Sequence, residues 1–172
     1  MITINPCFRR DKMPKLIVLM GLPGSGKSTY ANRFDHCVVL SSDAIRKELF
    51  NDVQYQGNNA LVFDTLYGRA KEYLEHGYDV VIDSTHLEAH RRLQVIDMFR
   101  EYEKEIHVIH TPVDECKRRN RERERIVPEN VIDQMAKKME YPTYEEGWSK
   151  IVNVNPVHSV AVEPQDGVTT HP

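Results

Sequence analysis

Phosphate chemistry is the first function that the sequence indicates, in a glycine-rich segment at residues 21–29 with the sequence GLPGSGKST. It fits the pattern G-x-x-x-x-G-K-S/T of phosphate-binding loops. Its glycines permit backbone torsions that turn successive N–H groups towards an anion. Lys27 adds a positive charge for the outer phosphates, and the Ser28 hydroxyl can bind Mg²⁺. The segment predicts binding of ATP through Gly24, Ser25, Gly26, Lys27, Ser28 and Thr29.

The flanks of this loop place it between a strand and a helix. Residues 15–20 form a short apolar run, which is typical of a buried parallel strand. Residues 29–34 can continue a helix that begins near Lys27. The positive end of that helix would then point at the bound phosphates.

Strands and helices alternate along the rest of the chain. Ser42 can cap a helix, and Gly77 can end one in a left-handed conformation. This alternation predicts an α/β fold, a five-stranded parallel sheet with helices on both faces. We predict the further strands at 37–40, 78–83, 106–110 and 150–154, and the further helices at 44–50, 61–74, 89–102 and 129–139.

Length and composition indicate one globular domain of 172 residues. We expect an extension at 1–13, one domain built around the phosphate-binding loop at 14–155 and an irregular tail at 156–172, and Met13 could be an alternative start to Met1. The net charge of −3 argues against a protein that coats nucleic acid along its length. It is compatible with a local basic pocket that holds the end of a strand.

Cysteine and histidine positions suggest no disulfide framework and no zinc site. The three cysteines show no paired spacing, which favours a reducing cytosol. His86 and His90 could face together on a helix, but no third ligand is obvious. Without an apolar run of membrane-spanning length, we expect a soluble, cytoplasmic protein with no membrane partner.

The end of the third predicted strand separates classes of phosphate-binding proteins. Asp83 is followed by Ser84 and Thr85, so the glutamate with which a motor ATPase activates water is missing. The guanine-reading motif Asn-Lys-x-Asp of GTPase switches does not occur in the sequence. A kinase needs a carboxylate beside the acceptor hydroxyl, and Asp43 with Arg46 on the same helical face fits that requirement.

A charged run at residues 118–125, RRNRERER, has two interpretations. Alternating arginine and glutamate is typical of a solvated helix with i,i+4 ion pairs. The run also lies after the fourth strand and before Pro128, where a kinase lid brings arginines to the phosphates.

Five segments together resemble the P-loop kinase family that contains the phage-type polynucleotide 5′-hydroxyl kinases. In chain order they are GLPGSGKST, SSDAIRKEL, VVIDSTHLEAHRR, RRNRERERIVP and YPTYEEGW, within about residues 15–154. The resemblance implies a P-loop NTPase kinase fold with a helical lid. The phage enzymes also carry a phosphatase domain after the kinase, for which the given sequence has no room.

Site roles follow from the same resemblance. It implies that Asp43 is the general base, that Arg46 contacts substrate phosphate, and that Arg123 is the lid arginine. Because the lid is about one residue shorter than in the phage enzymes, Arg125 is a rival for that role. Asp83, Thr85 and Arg91 would join Asp43 and Arg46 in binding substrate.

The expected reaction is transfer of the ATP γ-phosphoryl group, with Mg²⁺ held by Ser28, to the 5′-OH of DNA or RNA. The same broad family includes kinases of small molecules and zeta-type toxins that phosphorylate nucleotide sugars. A small-molecule or nucleotide kinase, and a nucleotide-dependent binding module, are therefore open alternatives.

Overall fold

Five parallel strands form one sheet in a computed structural model that describes residues 13–155. The strand order is β2-β3-β1-β4-β5, so β1 lies at the centre. This arrangement confirms the predicted five-stranded parallel α/β fold. The expected extension and tail, apart from Met13, lie outside the described residues. The strands are β1 (Lys15–Met20), β2 (Val38–Ser41), β3 (Val80–Asp83), β4 (Glu103–Ile109) and β5 (Lys150–Val154).

Six α-helices and one 3₁₀ turn connect the strands within residues 13–155. The second helix was predicted to be capped by Ser42, but the helix begins at Ser42 and its cap is Ser41, the last residue of β2. The Ser41 Oγ accepts a hydrogen bond from the Ala44 amide at 3.4 Å. The helices are α1 (Lys27–Ala31), α2 (Ser42–Phe50), α3 (Asn59–Glu75), α4 (Ala89–Met98), α5 (Val113–Asn120) and α6 (Glu129–Lys137), and the 3₁₀ turn is Tyr144–Glu146.

Three helices are shorter than predicted: α6 ends at Lys137 rather than at residue 139, and α1 and α4 end early for local reasons. In α1, Arg33 and Phe34 donate to carbonyls three residues back, so the backbone tightens after Ala31. Helix α4 ends at Met98, and the next residue, Phe99, is fully buried in the core. The chain then enters β4 three residues earlier than predicted, because Glu103 to Glu105 already pair with β1.

Central strand β1 supplies side chains to both faces of the sheet. Leu16, Val18 and Met20 pack in the larger hydrophobic cluster, with side chains of α3 and α4. Ile17 and Leu19 point the other way, into a smaller cluster that α1 covers. The centre of the sheet is therefore buried on both faces, and ligands of such folds bind at the carboxyl ends of the strands.

In the part of the chain that the structure describes, we find no helix with the length and apolar character needed to span a lipid bilayer.

Candidate functional site

The phosphate-binding loop joins β1 to α1 and is held from both sides. The Gly21 amide donates to the Thr85 carbonyl at 3.1 Å, and the Thr111 hydroxyl donates to the Ser25 carbonyl at 2.8 Å. Gly24 has φ +80°, and a Cβ there would lie 2.2 Å from the Cys116 carbonyl oxygen. Only glycine fits this contact with α5, so the loop and the start of the lid are packed as one unit.

Lys27 lies folded against this loop. Its Nζ donates to the carbonyls of Gly21 at 2.9 Å and Leu22 at 2.8 Å, and lies 3.4 Å from Ser25 Oγ. Burial lowers the pKa of Lys27 to about 8, against the opposing effect of the Asp83 charge. The ammonium is buried and hydrogen-bonded but forms no ion pair within the described residues, so phosphate oxygens would stabilise its charged form.

Ser28 and Asp83 form an oxygen pair beside the loop. The Ser28 hydroxyl donates to Asp83 Oδ2 at 2.7 Å, from the first turn of α1 to the end of β3. A hydroxyl and a carboxylate suit Mg²⁺, which takes one or two protein oxygens and completes its shell with phosphates and water. Within residues 13–155 there is no group of three or more His, Cys, Asp or Glu side chains that could hold a metal alone. The residues therefore fit a magnesium–nucleotide complex.

Asp43, in the first turn of α2, contacts three arginines. Its Oδ1 accepts from Arg46 at 3.0 Å and from Arg125 at 2.7 Å, and its Oδ2 accepts from Arg123 at 3.1 Å. Arg46 comes from the same helix, whereas Arg123 and Arg125 come from the segment between α5 and α6. The structure thus brings together Asp43, Arg46 and both candidate lid arginines.

The lid is this segment, residues 121–128, which is not helical. It is closed at its base by the buried side chain of Asn120, which donates to the Val127 carbonyl at 2.8 Å and accepts from the Val127 amide at 3.1 Å. Further ties are Lys47 to Glu124 at 2.7 Å and Gln54 Nε2 to the Glu124 carbonyl at 3.2 Å. Asn120 was not singled out from the sequence, although it lies inside the arginine-rich motif.

Two cavities meet beneath the lid. The phosphate cavity, about 520 Å³, is lined by Gly24 and residues 26–29 of the loop and by Asp43, Asp83, Arg119 and Arg123. The second cavity, about 360 Å³, lies between α3, α6 and the segment after β3. The two cavities are adjacent and have five lining residues in common: Pro23, Ser42, Ser84, Thr85 and Arg125.

Arg46 is the one buried residue among the charged residues that line the second cavity. It is 3% exposed, and one guanidinium nitrogen reaches Asp43 while the other donates to Asn59 Oδ1 at 2.9 Å. Its Nε is buried and has no hydrogen-bond partner within the described residues. Burial and the nearby Arg125 lower the pKa of Arg46. A bound anion would supply the missing acceptor.

The adjacent arginines at the start of α4 differ in location. Arg91 is exposed and lines the second cavity. Arg92 is fully buried, pairs with Glu146 at 2.6 Å, and donates to the His86 and Leu87 carbonyls at 3.1 and 3.0 Å. Arg92 therefore fixes the segment after β3, and only Arg91 can meet a ligand in the second cavity.

His86 supports the wall of the second cavity. Its ring lies 3.1 Å from the Leu19 carbonyl through Nδ1 and 3.3 Å from the Tyr67 hydroxyl through Nε2. Burial lowers the pKa of His86 to about 4, so the ring is neutral at pH 7. The neutral imidazole then donates to the Leu19 carbonyl and accepts from the Tyr67 hydroxyl. No pattern in the sequence indicated this supporting role for His86.

These features define the class of protein. A parallel sheet of this order, a phosphate-binding loop over its central strand and an arginine-bearing lid form a P-loop kinase domain, which uses ATP. A protein-family model, AAA_33, described as "AAA domain", matches residues 16–142, and the chain belongs to that family.

Three known proteins show what the chain is similar to. It is 28% identical to the L-seryl-tRNA(Sec) kinase of Methanococcus maripaludis over 77% of this chain and 55% of that protein. It is 26% identical to the bifunctional polynucleotide phosphatase/kinase of Schizosaccharomyces pombe over 86% of this chain and 35% of that protein. A chain in the structure of the Pnkp1/Rnl/Hen1 RNA repair complex superposes with a TM-score of 0.66 and 24% identity, over 75% of this chain and 45% of that one. The chain thus spans about half or less of the length of these proteins.

Proposed function

We propose that this domain transfers the γ-phosphoryl group of ATP to the 5′-hydroxyl of a nucleic-acid end. One observation carries the proposal: the Asp43–Arg46 contact of 3.0 Å spans the two cavities. Asp43 lines the phosphate cavity and Arg46 lines the second cavity. An acceptor in the second cavity would therefore present its hydroxyl to Asp43 and to the γ-phosphate at once.

The proposed reaction is an in-line displacement. Asp43 accepts the proton of the attacking hydroxyl, a bond forms from that oxygen to the γ-phosphorus, and the bond to the ADP oxygen breaks. Lys27 binds the outer phosphate oxygens, and Mg²⁺ at Ser28 and Asp83 would neutralise their charge. Arg123, from the lid, stabilises the charge on the transferring phosphoryl group.

The second cavity has the composition that a nucleotide acceptor requires. Arg46 with its unpartnered Nε, together with Arg91 and Arg125, provides positive charge for a phosphodiester. Phe63, Tyr67, Val131 and Met135 provide apolar surface for a base or sugar. A net charge of −3 for the whole chain is compatible with binding at a local basic pocket of this kind. The likeness to a polynucleotide phosphatase/kinase supports the same class of acceptor.

L-seryl-tRNA is the second candidate acceptor, because a kinase of that name shares 28% identity with this chain. It too presents a hydroxyl close to a nucleic-acid phosphate. The cavity contacts described above do not depend on which of the two hydroxyls is attacked.

Competing acceptors and γ-labelled ATP test the proposal. The panel contains an oligonucleotide with a 5′-hydroxyl, a nucleoside, a hexose and L-seryl-tRNA, each at equal concentration with Mg²⁺. We expect the label on the oligonucleotide at a rate at least tenfold above the others. Preferential labelling of L-seryl-tRNA would support the second candidate, and labelling of the nucleoside or hexose would refute both. Tight ATP binding without any labelled product would indicate a binding module.

A further inference from the structure

A groove between α3 and α4 continues outward from the second cavity. We define the α3–α4 groove, about 660 Å³, by the residues that line it: Asn59, Ala60, Phe63, Asp64, Tyr67, Arg91, Gln94, Asp97 and Met98. Four of these, Asn59, Phe63, Tyr67 and Arg91, also line the second cavity. The groove and the second cavity therefore lie side by side, and a ligand in the cavity lies next to the groove.

Aromatic surface covers the junction between cavity and groove. The rings of Phe63 and Tyr67 have centroids 5.8 Å apart with planes inclined at 35°. Both are only partly buried, so each keeps an accessible edge or face. Aromatic faces of this kind bind nucleobases by stacking, with little dependence on which base is present.

The charges of the groove match a base better than a phosphate. Arg91 lies at the junction, whereas the carboxylates of Asp64 and Asp97 lie in the groove itself. Carboxylates repel a phosphodiester but accept hydrogen bonds from the amino groups of bases. A phosphodiester therefore fits near Arg91, and the base that follows it fits beyond.

We propose that the α3–α4 groove binds the base of the second nucleotide, counted from the 5′ end, of a single-stranded acceptor. The inference rests on the proposed function, because the first nucleotide must occupy the second cavity. The groove runs beside α4 from Arg91 to Met98, about 10 Å of helix at 1.5 Å per residue. An acceptor of two nucleotides is then bound more tightly than one of a single nucleotide.

Acceptors of increasing length test the groove. We would measure kcat/KM for a nucleoside 3′-monophosphate, for the 3′-phosphorylated dinucleotide, and for that dinucleotide with an abasic second residue. Stacking of one base predicts a gain on the order of 10-fold from the first to the second acceptor. The abasic dinucleotide should return to the value of the monophosphate.

Two exposed side chains on α4 provide matched variants. Met98 lines the groove and is 47% exposed, whereas Leu93 is 48% exposed and lines none of the cavities described above. Met98→Ala should reduce the dinucleotide gain, because it removes apolar surface that the base would contact, and should leave the monophosphate value unchanged. Leu93→Ala should change neither value, since it removes an apolar side chain from the same helix away from the groove.

The outcomes separate this inference from the proposed function. Turnover of the monophosphate without any gain for the dinucleotide overturns the groove inference and leaves the proposed function in place. Equal gains for the intact and the abasic dinucleotide also overturn it, because the contact would then be with the phosphate. If no nucleotide is phosphorylated, the proposed function and the groove inference fail together.

Discussion

Arg123→Ala and Arg125→Ala remove guanidinium groups that contact the same carboxylate, Asp43, but only Arg125 also lines the second cavity. Arg123 lines the phosphate cavity alone, and its positive charge helps to lower the pKa of Lys27. Arg125 lines both cavities, lies 2.7 Å from Asp43, and helps to lower the pKa of Arg46. We therefore expect Arg123 to lie nearer the γ-phosphate and Arg125 nearer the acceptor.

The two variants should therefore differ in the kinetic constant that they change. Loss of an arginine that contacts the transferring phosphoryl group lowers kcat by about 10³-fold or more, which we expect for Arg123→Ala. A lost charge-assisted hydrogen bond to an acceptor phosphate costs about 1.5–3 kcal/mol, so Arg125→Ala should raise the acceptor KM roughly 10- to 100-fold.

Steady-state rates with ATP and oligonucleotide varied separately measure both constants. Arg121→Ala is the matched control, because Arg121 lies in the same lid but pairs with Glu129 at 2.8 Å and lines neither cavity. It should behave as the wild type. A 10³-fold loss of kcat in Arg125→Ala with a mild effect of Arg123→Ala would refute the assignment of the two arginines.

Three further predictions follow from the loop and the base. Asp43→Asn should lower kcat by about 10²–10⁴-fold with little change in the Kd for ATP, measured by turnover and calorimetry; near-normal kcat would exclude Asp43 as the base. Because the ammonium of Lys27 loses its proton near pH 8, kcat/KM for ATP should fall above that pH, and a flat profile to pH 9.5 would contradict this. Gly24→Ala should abolish ATP binding, since its Cβ would meet the Cys116 carbonyl at 2.2 Å. The control Gly68→Ala, with open space around the new Cβ, should raise the free energy of urea unfolding by about 0.5–1 kcal/mol.

Local patterns in the sequence were enough to predict the sheet and the phosphate-binding loop. The fifth strand was predicted at 150–154 and observed at Lys150–Val154, because an apolar run between polar turns admits few alternatives. The loop was equally predictable, since its glycines and Lys27 act through the backbone next to them. Asp43 and Arg46 were predictable as a pair because three residues bring them to the same face of a helix.

Contacts between distant segments could not be predicted in the same way. Nothing in the sequence shows that Asn120 reaches across to Val127 to close the lid, or that both Arg123 and Arg125 reach Asp43. Neighbouring residues on a helix point about 100° apart. Helix geometry alone therefore could not show which of the adjacent residues Arg91 and Arg92 faces the core. In the structure Arg92 is the buried one.

The role of Asp83 is a further case in which the sequence indicated the position of a residue but not its contact. The sequence placed it among the substrate-binding residues, and its position at the end of β3 was correct. Its partner is the Ser28 hydroxyl at 2.7 Å, on the side of the phosphates. We therefore propose a magnesium role for Asp83 and leave Thr85 and Arg91 on the wall of the second cavity.

The position of the transferred label on a defined strand tests the central proposal most directly. Two oligonucleotides of one sequence, one with a 5′-hydroxyl and one with a 5′-phosphate, are incubated with γ-labelled ATP, and the labelled product is digested to nucleotides. We expect label in the 5′-terminal nucleotide of the first oligonucleotide and none in the second. Label elsewhere in the strand, or equal label in both oligonucleotides, would contradict a 5′-hydroxyl kinase.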